Sequence, residues 1–364
     1  MALRENNNHQ ISKSEEEDFL FAMQLTTVSV LPMVMQTAIE LDLFEIIAKA
    51  GPGAQVSPTY IASQLSTENP NAPNMLDRLL RLLASNSVLV SSLVSHEDNK
   101  SIERVYGLAS VCKYFRRNDD GVSLSPVALL VEDNVYIKSW PYLKDSILRG
   151  GIPFNKAHGM HIFDYLRMDS RFYQVFNTAM SNHTTLFANK MLQTYKGFEG
   201  INEIVDVGGG YGHILNRIIT NYPTINGINF DLPHVIEHAP SYPGVKHLGG
   251  DMFDQVPHGE TIFMKWILHD WSDEDCLKLL KNCYNALPVH GKLIIVEEIQ
   301  PDAVETSNAA KGLCQMDVIM MTQILDGKER TEEEFRILLT KAGFACMTKA
   351  CSIYNYWVLE SYKV

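Results

Sequence analysis

Apolar residues in the first 120 positions recur at the spacing of α-helices. Leucines at i, i+3, i+4 and i+7 between Leu76 and Leu83 predict an amphipathic helix, and an earlier apolar run over residues 34–47 ends at a Gly-Pro-Gly turn. Two short extended segments, residues 88–90 and 105–107, come after these helices. Helices followed by a small hairpin predict a winged-helix-like unit.

The stretch from residue 19 to residue 39 carries no charged side chain, and 21 residues are long enough to span a bilayer. Several polar residues and Pro32 interrupt it, so it is not predominantly apolar. The pattern therefore predicts a buried or interface helix with a break at the proline. The residues before it are polar and acidic, which argues against a signal peptide and predicts a disordered tail over residues 1–18.

Residues 121–195 follow a mostly helical pattern and are rich in aromatic and sulfur-containing side chains. Phe172, Phe176 and Met180 are spaced four apart, which places them on one face of a helix. Such a stripe is more often part of a core than of a ligand pocket.

The pattern changes after residue 200 to apolar runs that alternate with helical stretches. This alternation predicts a parallel sheet covered by helices, which is an α/β fold. Two terminal segments, residues 345–350 and 354–359, are joined by too few residues for a crossover and should be antiparallel. The other predicted strands are residues 204–207, 225–230, 262–267 and 293–296.

Charge and cysteine content narrow the possible functions. A net charge of −12 and the lack of a visible basic face argue against nucleic-acid binding, so dimerisation is favoured for the winged-helix-like unit. Six cysteines without a C-x-x-C pair or metal-ligand spacing are typical of a reducing compartment and predict a cytoplasmic protein. The predicted segments are the tail at 1–18, the winged-helix-like unit at 19–120, a helical connector at 121–195 and the α/β domain at 196–364.

A glycine-rich turn follows the first strand of the α/β domain. Its sequence, Val-Asp-Val-Gly-Gly-Gly-Tyr-Gly at residues 205–212, contains G-x-G-x-G starting at Gly208. Glycines allow the backbone to approach a ligand closely, and ligands of open parallel sheets bind beyond the carboxyl ends of the strands. A dinucleotide-binding turn needs a third glycine where this chain has His213. S-adenosylmethionine, which has a sulfonium and no phosphate, suits acidic neighbours better.

Acidic residues follow the next two strands. Asp231 ends the second strand and offers two carboxylate oxygens to the hydroxyls of a ribose. Asp251 and Met252 come after Gly249 and Gly250, which follow a third strand between the runs at 225–230 and 262–267, so that these last residues form the fourth strand and 293–296 the fifth. Asp251 and Met252 can hold an adenine there by hydrogen bonding and apolar contact. Lys265, near the end of the fourth strand, is a further candidate contact. Either aspartate could instead cap a helix, and the lysine could be solvated or salt-bridged, but the set favours S-adenosylmethionine.

His269 lies just past the fourth predicted strand, on the ligand-binding side of the sheet. Glu297 ends the fifth predicted strand, and Glu329 precedes a helix capped by Thr331. A histidine flanked by carboxylates can be held in one tautomer and made more basic. A phenol with a pKa near 10 is mostly protonated at neutral pH. Removing its proton during methyl transfer is general base catalysis, which contributes about 10²–10⁴ in rate.

Together these motifs resemble those of plant small-molecule O-methyltransferases, in particular the caffeic acid O-methyltransferase group, over nearly all of residues 20–364. The resemblance implies a Rossmann-like S-adenosylmethionine methyltransferase domain with an N-terminal, mainly helical, winged-helix-like dimerisation domain. The stretches that carry it are residues 205–210, 227–237, 249–253, 263–273 and 327–331.

The resemblance also implies the roles of individual residues. His269 would be the base, with Glu297 and Glu329 positioning it and no metal taking part. S-adenosylmethionine would become S-adenosylhomocysteine, and the chain would form a homodimer in which each N-terminal domain contributes to the partner's acceptor pocket. The implied cofactor contacts are Gly208, Asp231, Asp251, Met252 and Lys265.

The implied acceptor is a small phenolic or catechol-bearing metabolite: a phenylpropanoid, phenylpropene, flavonoid, aromatic amine or alkaloid. Ile162 stands where the caffeic acid enzymes have a small residue, and Tyr136 where they have an aliphatic one. Leu166 replaces a histidine and Ile324 an asparagine, so the pocket is predicted to disfavour caffeic and 5-hydroxyferulic acids. The implied pocket residues are Leu130, Tyr136, Ile162, Leu166, Phe172, Phe176, Met180, His183, Asp270, Ile319, Met320 and Ile324.

Two other functions are compatible with parts of the pattern. An NAD-dependent dehydrogenase would use the same sheet edge, but the missing third glycine opposes it. An inactive ligand-binding or dimerisation protein would share the fold, but retention of His269, Glu297 and Glu329 opposes that function.

Overall fold

The computed structural model describes residues 13–95 and 102–364. Contacts between Cα atoms divide the chain into two compact units, the first ending at Glu132 and the second comprising Asp133–Val364. The predicted connector at 121–195 is therefore divided between the two units. Most of the predicted tail lies outside the described residues, but its last six residues are helical, so disorder there was a wrong prediction.

The first unit consists of helices followed by an antiparallel hairpin, as the apolar pattern predicts. Its core is formed by apolar faces of the helices and by the buried ends of the hairpin, including Leu80 and Tyr106. The winged-helix assignment itself stays a prediction. The elements are α1 (Lys13–Thr26), α2 (Val30–Glu40), α3 (Leu43–Lys49), α4 (Pro58–Gln64), α5 (Ala72–Ser85), β1 (Leu89–Ser95), β2 (Ile102–Leu108), a 3-10 helix (Ser110–Tyr114) and α6 (Ser125–Val131).

The uncharged stretch near the start of the chain is divided between α1 and α2. The break falls between Thr26 and Val30 rather than at Pro32. Pro32 lies in the first turn of α2, where the missing N–H of proline costs no helical hydrogen bond. Apolar side chains of α1 such as Phe19 are exposed, whereas Val34 and Ala38 of α2 are buried. For α1 the interface alternative therefore stays a prediction. No single described helix is long and apolar enough to cross a membrane. The pair Ser14–Thr26 and Val30–Glu40, bent by 49°, passes that test only jointly, by length and composition.

The second unit begins with helices that precede its sheet. Phe172, Phe176 and Met180 lie on the long helix α11, as their spacing predicts, and Asp169 caps this helix by accepting a hydrogen bond from the backbone N–H of Phe172. The elements are α7 (Asn134–Ile137), a 3-10 helix (Trp140–Tyr142), α8 (Leu143–Arg149), α9 (Pro153–His158), α10 (Ile162–Met168) and α11 (Ser170–Thr194).

The remaining residues alternate strands and helices, which confirms the predicted Rossmann-like α/β fold. The sheet order is β5-β4-β3-β6-β7-β10-β9, and β8 pairs with β7. The elements are β3 (Glu203–Val207), α12 (His213–Asn221), β4 (Asn226–Asp231), α13 (Pro233–Ile236), β5 (Val245–Gly249), β6 (Thr261–Lys265), a 3-10 helix (Leu268–Asp270), α14 (Asp273–Ala286), β7 (Lys292–Gln300), α15 (Asn308–Gln323), β8 (Arg330–Thr331), α16 (Glu332–Ala342), β9 (Thr348–Ile353) and β10 (Tyr356–Tyr362).

The strand directions confirm both parts of the prediction. Strands β3 to β7 are parallel, whereas β10 is antiparallel to both β7 and β9. Strand β6 ends at Lys265, two residues earlier than predicted, because Trp266 turns the chain with a φ of +56°. Strand β7 continues to Gln300, so Glu297 lies within it rather than at its end.

Helices cover the sheet on both faces. One buried cluster joins the strands to α14 and α16, and another joins them to α11 and α12. The strand order reverses direction at β3, which has β4 on one side and β6 on the other. This arrangement creates a crevice at the carboxyl ends of the strands, the edge at which such sheets bind ligands.

Candidate active site

The glycine-rich turn after β3 comes very close to the segment that precedes His269. Gly208 has a φ of +68°, and its backbone N–H donates to the carbonyl of Phe230, at 2.9 Å. A Cβ atom at Gly208 would lie only 2.3 Å from Cδ1 of Ile267. The backbone conformation favours glycine at this position, and any larger residue would have to displace the end of the Ile267 side chain.

Asp231 ends β4 directly beside the glycine turn, as predicted. Its Oδ2 accepts a hydrogen bond from the backbone N–H of Gly210 at 2.8 Å, and its Oδ1 accepts from the N–H of Leu232 at 2.7 Å. Burial raises the pKa of the Asp231 carboxyl against the lowering effect of these two bonds. The carboxylate thus holds the turn in place, and each oxygen keeps a further lone pair for a ligand.

Asp251 and Met252 lie at the same edge of the sheet, just beyond β5. The Asp251 carboxylate is exposed and accepts a hydrogen bond from the backbone N–H of Phe253 at 2.8 Å. The Met252 side chain packs against a buried cluster, and its carbonyl accepts from Asn282 Nδ2 at 2.9 Å. The N–H of Gly250 donates to the carbonyl of Asp231 at 3.0 Å, which ties this loop to the end of β4.

Lys265 is the last residue of β6. Its Nζ donates to Thr184 Oγ1 at 3.3 Å and lies 4.0 Å from the centroid of the Trp266 ring. Burial lowers the pKa of Lys265 to about 8, although the carboxylates of Glu297 and Asp206 oppose this shift. The lysine is partly exposed and has no carboxylate partner within 4 Å among the described residues.

Asp206 was part of the glycine motif, but the sequence did not identify it as a candidate. It lies within β3, is fully buried, and its Oδ2 has no hydrogen-bond partner among the described residues. Burial and the nearby Asp231 raise the pKa of Asp206 to about 8. An acidic residue two positions before the first glycine of the turn was the available signal.

His269 lies buried in the short 3-10 helix after β6. Its Nδ1 is 2.8 Å from Glu329 Oε1, and its Nε2 is 3.6 Å from Asp270 Oδ1. Burial disfavours the charged imidazolium, but the carboxylates of Asp270, Glu297 and Glu329 outweigh this effect and raise the pKa of His269. The contact between Nδ1 and Glu329 leaves Nε2 as the nitrogen that can accept a substrate proton.

Glu297 supports His269 through the backbone instead of the imidazole. Its buried Oε1 accepts hydrogen bonds from the consecutive N–H groups of Ile267 and Leu268, at 2.9 and 2.8 Å. Burial raises the pKa of Glu297, as does the nearby Glu329. The two glutamates predicted to position the base are thus both beside it, but only Glu329 bonds to its ring.

The segment that contains Glu329 is itself fixed to the loop of His269. The backbone N–H of Lys328 donates to the carbonyl of His269 at 3.0 Å, and the N–H of Glu329 donates to Asp317 Oδ1 at 2.9 Å. The guanidinium of Arg330 is fully buried and donates to the carbonyl of Trp271 at 2.7 Å. Sequence reasoning missed Arg330, although a basic residue beside Glu329 was visible.

The side chains implied for the acceptor pocket have different environments. Tyr136 and Phe172 are buried together with ring centroids 5.7 Å apart, and Ile324 lies beside Gly327, next to the carbonyl of His269. Leu130 is buried in the first unit. Within the second unit Ile162, Leu166 and Met320 are also buried, whereas Phe176, Met180, Asp270 and Ile319 are partly exposed.

His183 has partners that its implied role as a pocket residue does not explain. Its ring stacks on Trp266 with centroids 4.1 Å apart, and its Nε2 is 3.2 Å from the hydroxyl of Tyr356. Burial and the charge of Lys265 lower the pKa of His183 well below its ordinary value, so the imidazole is neutral.

The candidate base and the two glutamates beside it also form a possible metal-ligand set. One ligand atom from each of His269, Glu297 and Glu329 lies within 4.8 Å of the other two. The hydrogen bonds described above already engage His269 Nδ1 and one oxygen of each glutamate. The predicted absence of a metal stays a prediction.

The chain is similar to known proteins along most of its length. Residues 140–345 match the family model of the O-methyltransferase domain, and residues 23–118 match that of the O-methyltransferase dimerisation domain. The chain is 59% identical over 350 residues to a caffeic acid 3-O-methyltransferase of Prunus dulcis, covering 96% of each chain. It is 59% identical over 347 residues to caffeic acid 3-O-methyltransferase 1 of Populus tremuloides, covering 95% of each.

Solved structures share the fold. Human N-acetylserotonin methyltransferase in complex with S-adenosylmethionine superimposes with a TM-score of 0.78 at 18% identity, covering 97% of this chain and 99% of that one. The methyltransferase CalO1 of calicheamicin biosynthesis, with S-adenosylhomocysteine bound, superimposes with a TM-score of 0.79 at 20% identity, covering 96% and 98%.

Proposed function

Because the chain belongs to the O-methyltransferase family and is an S-adenosylmethionine-dependent O-methyltransferase, we propose that it methylates a phenolic hydroxyl with His269 as the general base. The observation that carries the proposal is the contact between His269 Nδ1 and Glu329 Oε1 at 2.8 Å, beside the glycine turn. The family excludes the dehydrogenase and inactive-protein alternatives.

The residues at the sheet edge fit the cofactor. The glycine turn admits a ligand close to the backbone, and the carboxylates of Asp231 and Asp251 suit a ligand that is cationic and rich in hydroxyl groups. When bound, S-adenosylmethionine supplies an electrophilic methyl group on a sulfonium. We assign its contacts to Gly208, Asp231, Asp251, Met252 and Lys265.

The protein's own contribution to the reaction is to orient the acceptor and to remove its proton. Glu329 holds the Nδ1 side of His269, so Nε2 accepts the phenolic proton as the oxygen becomes a nucleophile. Asp270, whose carboxylate lies 3.6 Å from Nε2, then stabilises the imidazolium. Alignment of the oxygen with the methyl group provides much of the remaining acceleration.

We also propose an oligomeric state, a reaction without a metal and a cellular location. The match to a dimerisation domain and the exposed apolar side chains of α1 support a homodimer. The engagement of His269, Glu297 and Glu329 in hydrogen bonds supports a reaction without a metal. Six free cysteines support a cytoplasmic location. A net charge of −12 supports an enzyme that does not bind nucleic acid, and we propose that it does not bind a membrane either.

The function is tested by incubating the purified chain with S-adenosylmethionine and a panel of catechols, flavonoids and phenolic amines. We expect a methyl ether product and S-adenosylhomocysteine in equal amounts, with the same rate after treatment with EDTA. Mass spectrometry and NMR of the product identify the methylated oxygen. A chain that binds S-adenosylhomocysteine but methylates no phenol in the panel would contradict the proposed acceptor class.

The acceptor pocket leads to a prediction about specificity. Leu166 and Ile324 are buried and offer no hydrogen bond, and an unpartnered buried polar group costs roughly 1–3 kcal/mol. The natural enzyme should therefore prefer a less polar catechol or phenol to 5-hydroxyferulic acid. The double change Leu166→His with Ile324→Asn should increase the kcat/KM ratio for 5-hydroxyferulic acid over that acceptor about tenfold or more.

The control for this prediction is the volume-conserving pair Leu166→Met with Ile324→Leu, which adds no hydrogen-bonding group. It should leave the ratio of the two kcat/KM values nearly unchanged. A natural enzyme that is already fastest on 5-hydroxyferulic acid would show that the apolar pocket does not set acceptor preference.

A further inference from the structure

Trp266 has a backbone conformation that is uncommon for a bulky residue. Its φ is +56°, in the left-handed region that glycine, asparagine and aspartate usually occupy. Such conformations cost free energy, and they persist only where the surrounding structure imposes them. Tyr354, with a φ of +55°, lies in the exposed turn between β9 and β10, but Trp266 is partly buried three residues before the catalytic base.

The turn at Trp266 redirects the backbone toward the active site. Lys265 still pairs with Val296 of β7, and the N–H of Trp266 donates to the carbonyl of Val296 at 3.1 Å. The next two N–H groups leave the ladder and both donate to Glu297 Oε1. The 3-10 helix that contains His269 begins at Leu268, so the turn at Trp266 separates the strand from the loop of the base.

An aromatic stack packs against the indole of Trp266. The imidazole of His183 lies nearly parallel to it, with an interplanar angle of 17° and centroids 4.1 Å apart. The ring of Tyr356 lies 5.3 Å from the indole, and its hydroxyl is 3.2 Å from His183 Nε2. The indole centroid is also 5.7 Å from that of His269. Helix α11 and strand β10 thereby both contact the turn.

The contact between Tyr356 and His183 joins two uncharged groups. Burial raises the pKa of the Tyr356 hydroxyl well above its ordinary value, so that group stays protonated at 3.2 Å from His183 Nε2. Because His183 is neutral, its ring can stack beside Lys265 without charge repulsion.

We propose that His183 and Trp266 are positioning residues: their stacked rings hold the left-handed turn at Trp266 and so orient His269 against Glu329. The inference depends on the proposed role of His269 as base. It assigns His183 a function that acts through Trp266.

Two variants of similar size distinguish the effect of the stacked ring from the effect of apolar volume. His183→Phe keeps an aromatic ring, whereas His183→Leu keeps apolar volume without a ring. We expect His183→Leu to lower kcat about tenfold or more, because small displacements of a reacting group have large effects on rate, and to change acceptor KM by less than about threefold. His183→Phe should retain most of the natural kcat.

The pH profile gives a readout that general destabilisation would not change. In His183→Leu the imidazole of His269 is held less firmly against Glu329, so its pKa falls and the rising limb of kcat moves to lower pH. An increase in acceptor KM with unchanged kcat would instead identify His183 as a substrate contact and overturn the proposal. Equal losses in the two variants would show that the ring stack is not responsible.

Substitution of Trp266 by glycine provides an independent test. Trp266→Gly removes the backbone strain and the stack together, and we expect kcat to fall about tenfold or more, whereas Trp266→Phe should retain most activity. The control is Tyr354→Gly, which relieves a similar φ at the β9–β10 turn and should leave kcat unchanged. Near-normal kcat in Trp266→Gly would overturn the proposal.

Thermal unfolding and S-adenosylhomocysteine affinity are measured for every variant, so that loss of folding is recognised. If His183→Leu does not fold, the comparison of Trp266→Phe with Trp266→Gly decides the matter. His269→Ala is assayed in parallel. Normal turnover in that variant would refute the base proposal, whereas an inactive His269→Ala with unaffected His183 and Trp266 variants would refute only the stack.

Discussion

His269→Ala is expected to lower kcat by at least about a hundredfold, because it removes the group that takes the phenolic proton. The imidazole is buried, its Nδ1 is held by Glu329, and its Nε2 is the nitrogen left to accept a proton. Binding of S-adenosylhomocysteine should persist, since none of the proposed cofactor contacts is removed. Steady-state kcat at saturating cofactor and calorimetry of cofactor binding measure the two effects separately.

Glu329→Gln and Glu297→Gln are the matched controls for this prediction. Both keep the side-chain shape, so we expect smaller losses of kcat. Glu329 raises the pKa of His269, so removing its charge lowers that pKa, and the rising limb of kcat should move to lower pH. Turnover in His269→Ala close to that of the natural enzyme across neutral pH would exclude histidine as the base.

The elements and the sheet edge could be predicted because they depend on local patterns. Apolar runs of four to six residues identified β3, β4, β6 and β7, and the short connection between the last two segments required an antiparallel pair. Because parallel strands end at a common edge, Gly208, Asp231 and His269 could be placed together without knowledge of their contacts. These residues lie at the carboxyl ends of β3, β4 and β6, as expected.

The details of the site depend on contacts between residues far apart in sequence, which spacing does not specify. Glu329 is 60 residues from His269, and nothing in the sequence distinguished its bond to the ring from Glu297's bonds to the backbone. The left-handed turn at Trp266 was missed because an apolar run predicts a continuous strand. Apolar content could not decide between a buried and an interface helix for α1, whose apolar side chains are exposed in this chain.

Asp231→Ala is expected to weaken S-adenosylhomocysteine binding by roughly 1–3 kcal/mol, which is the range for loss of hydrogen bonds to a charged group. Asp231→Asn is the matched control, because its amide oxygen can still accept one hydrogen bond while the charge is gone. We expect an intermediate affinity for this variant. Isothermal titration calorimetry measures both, with thermal unfolding as a check that each variant is folded.

A loss of affinity alone would not distinguish contact with the ligand from support of the glycine turn, since Asp231 Oδ2 also accepts from Gly210. A 2′-deoxyribose analogue of S-adenosylhomocysteine separates the two roles. If Asp231 binds the ribose, the natural enzyme should bind the analogue more weakly than S-adenosylhomocysteine, and Asp231→Ala should bind both alike, because the coupling between the two changes measures the direct interaction. Equal discrimination by the natural enzyme and Asp231→Ala would restrict Asp231 to holding the turn and remove it from the ribose site.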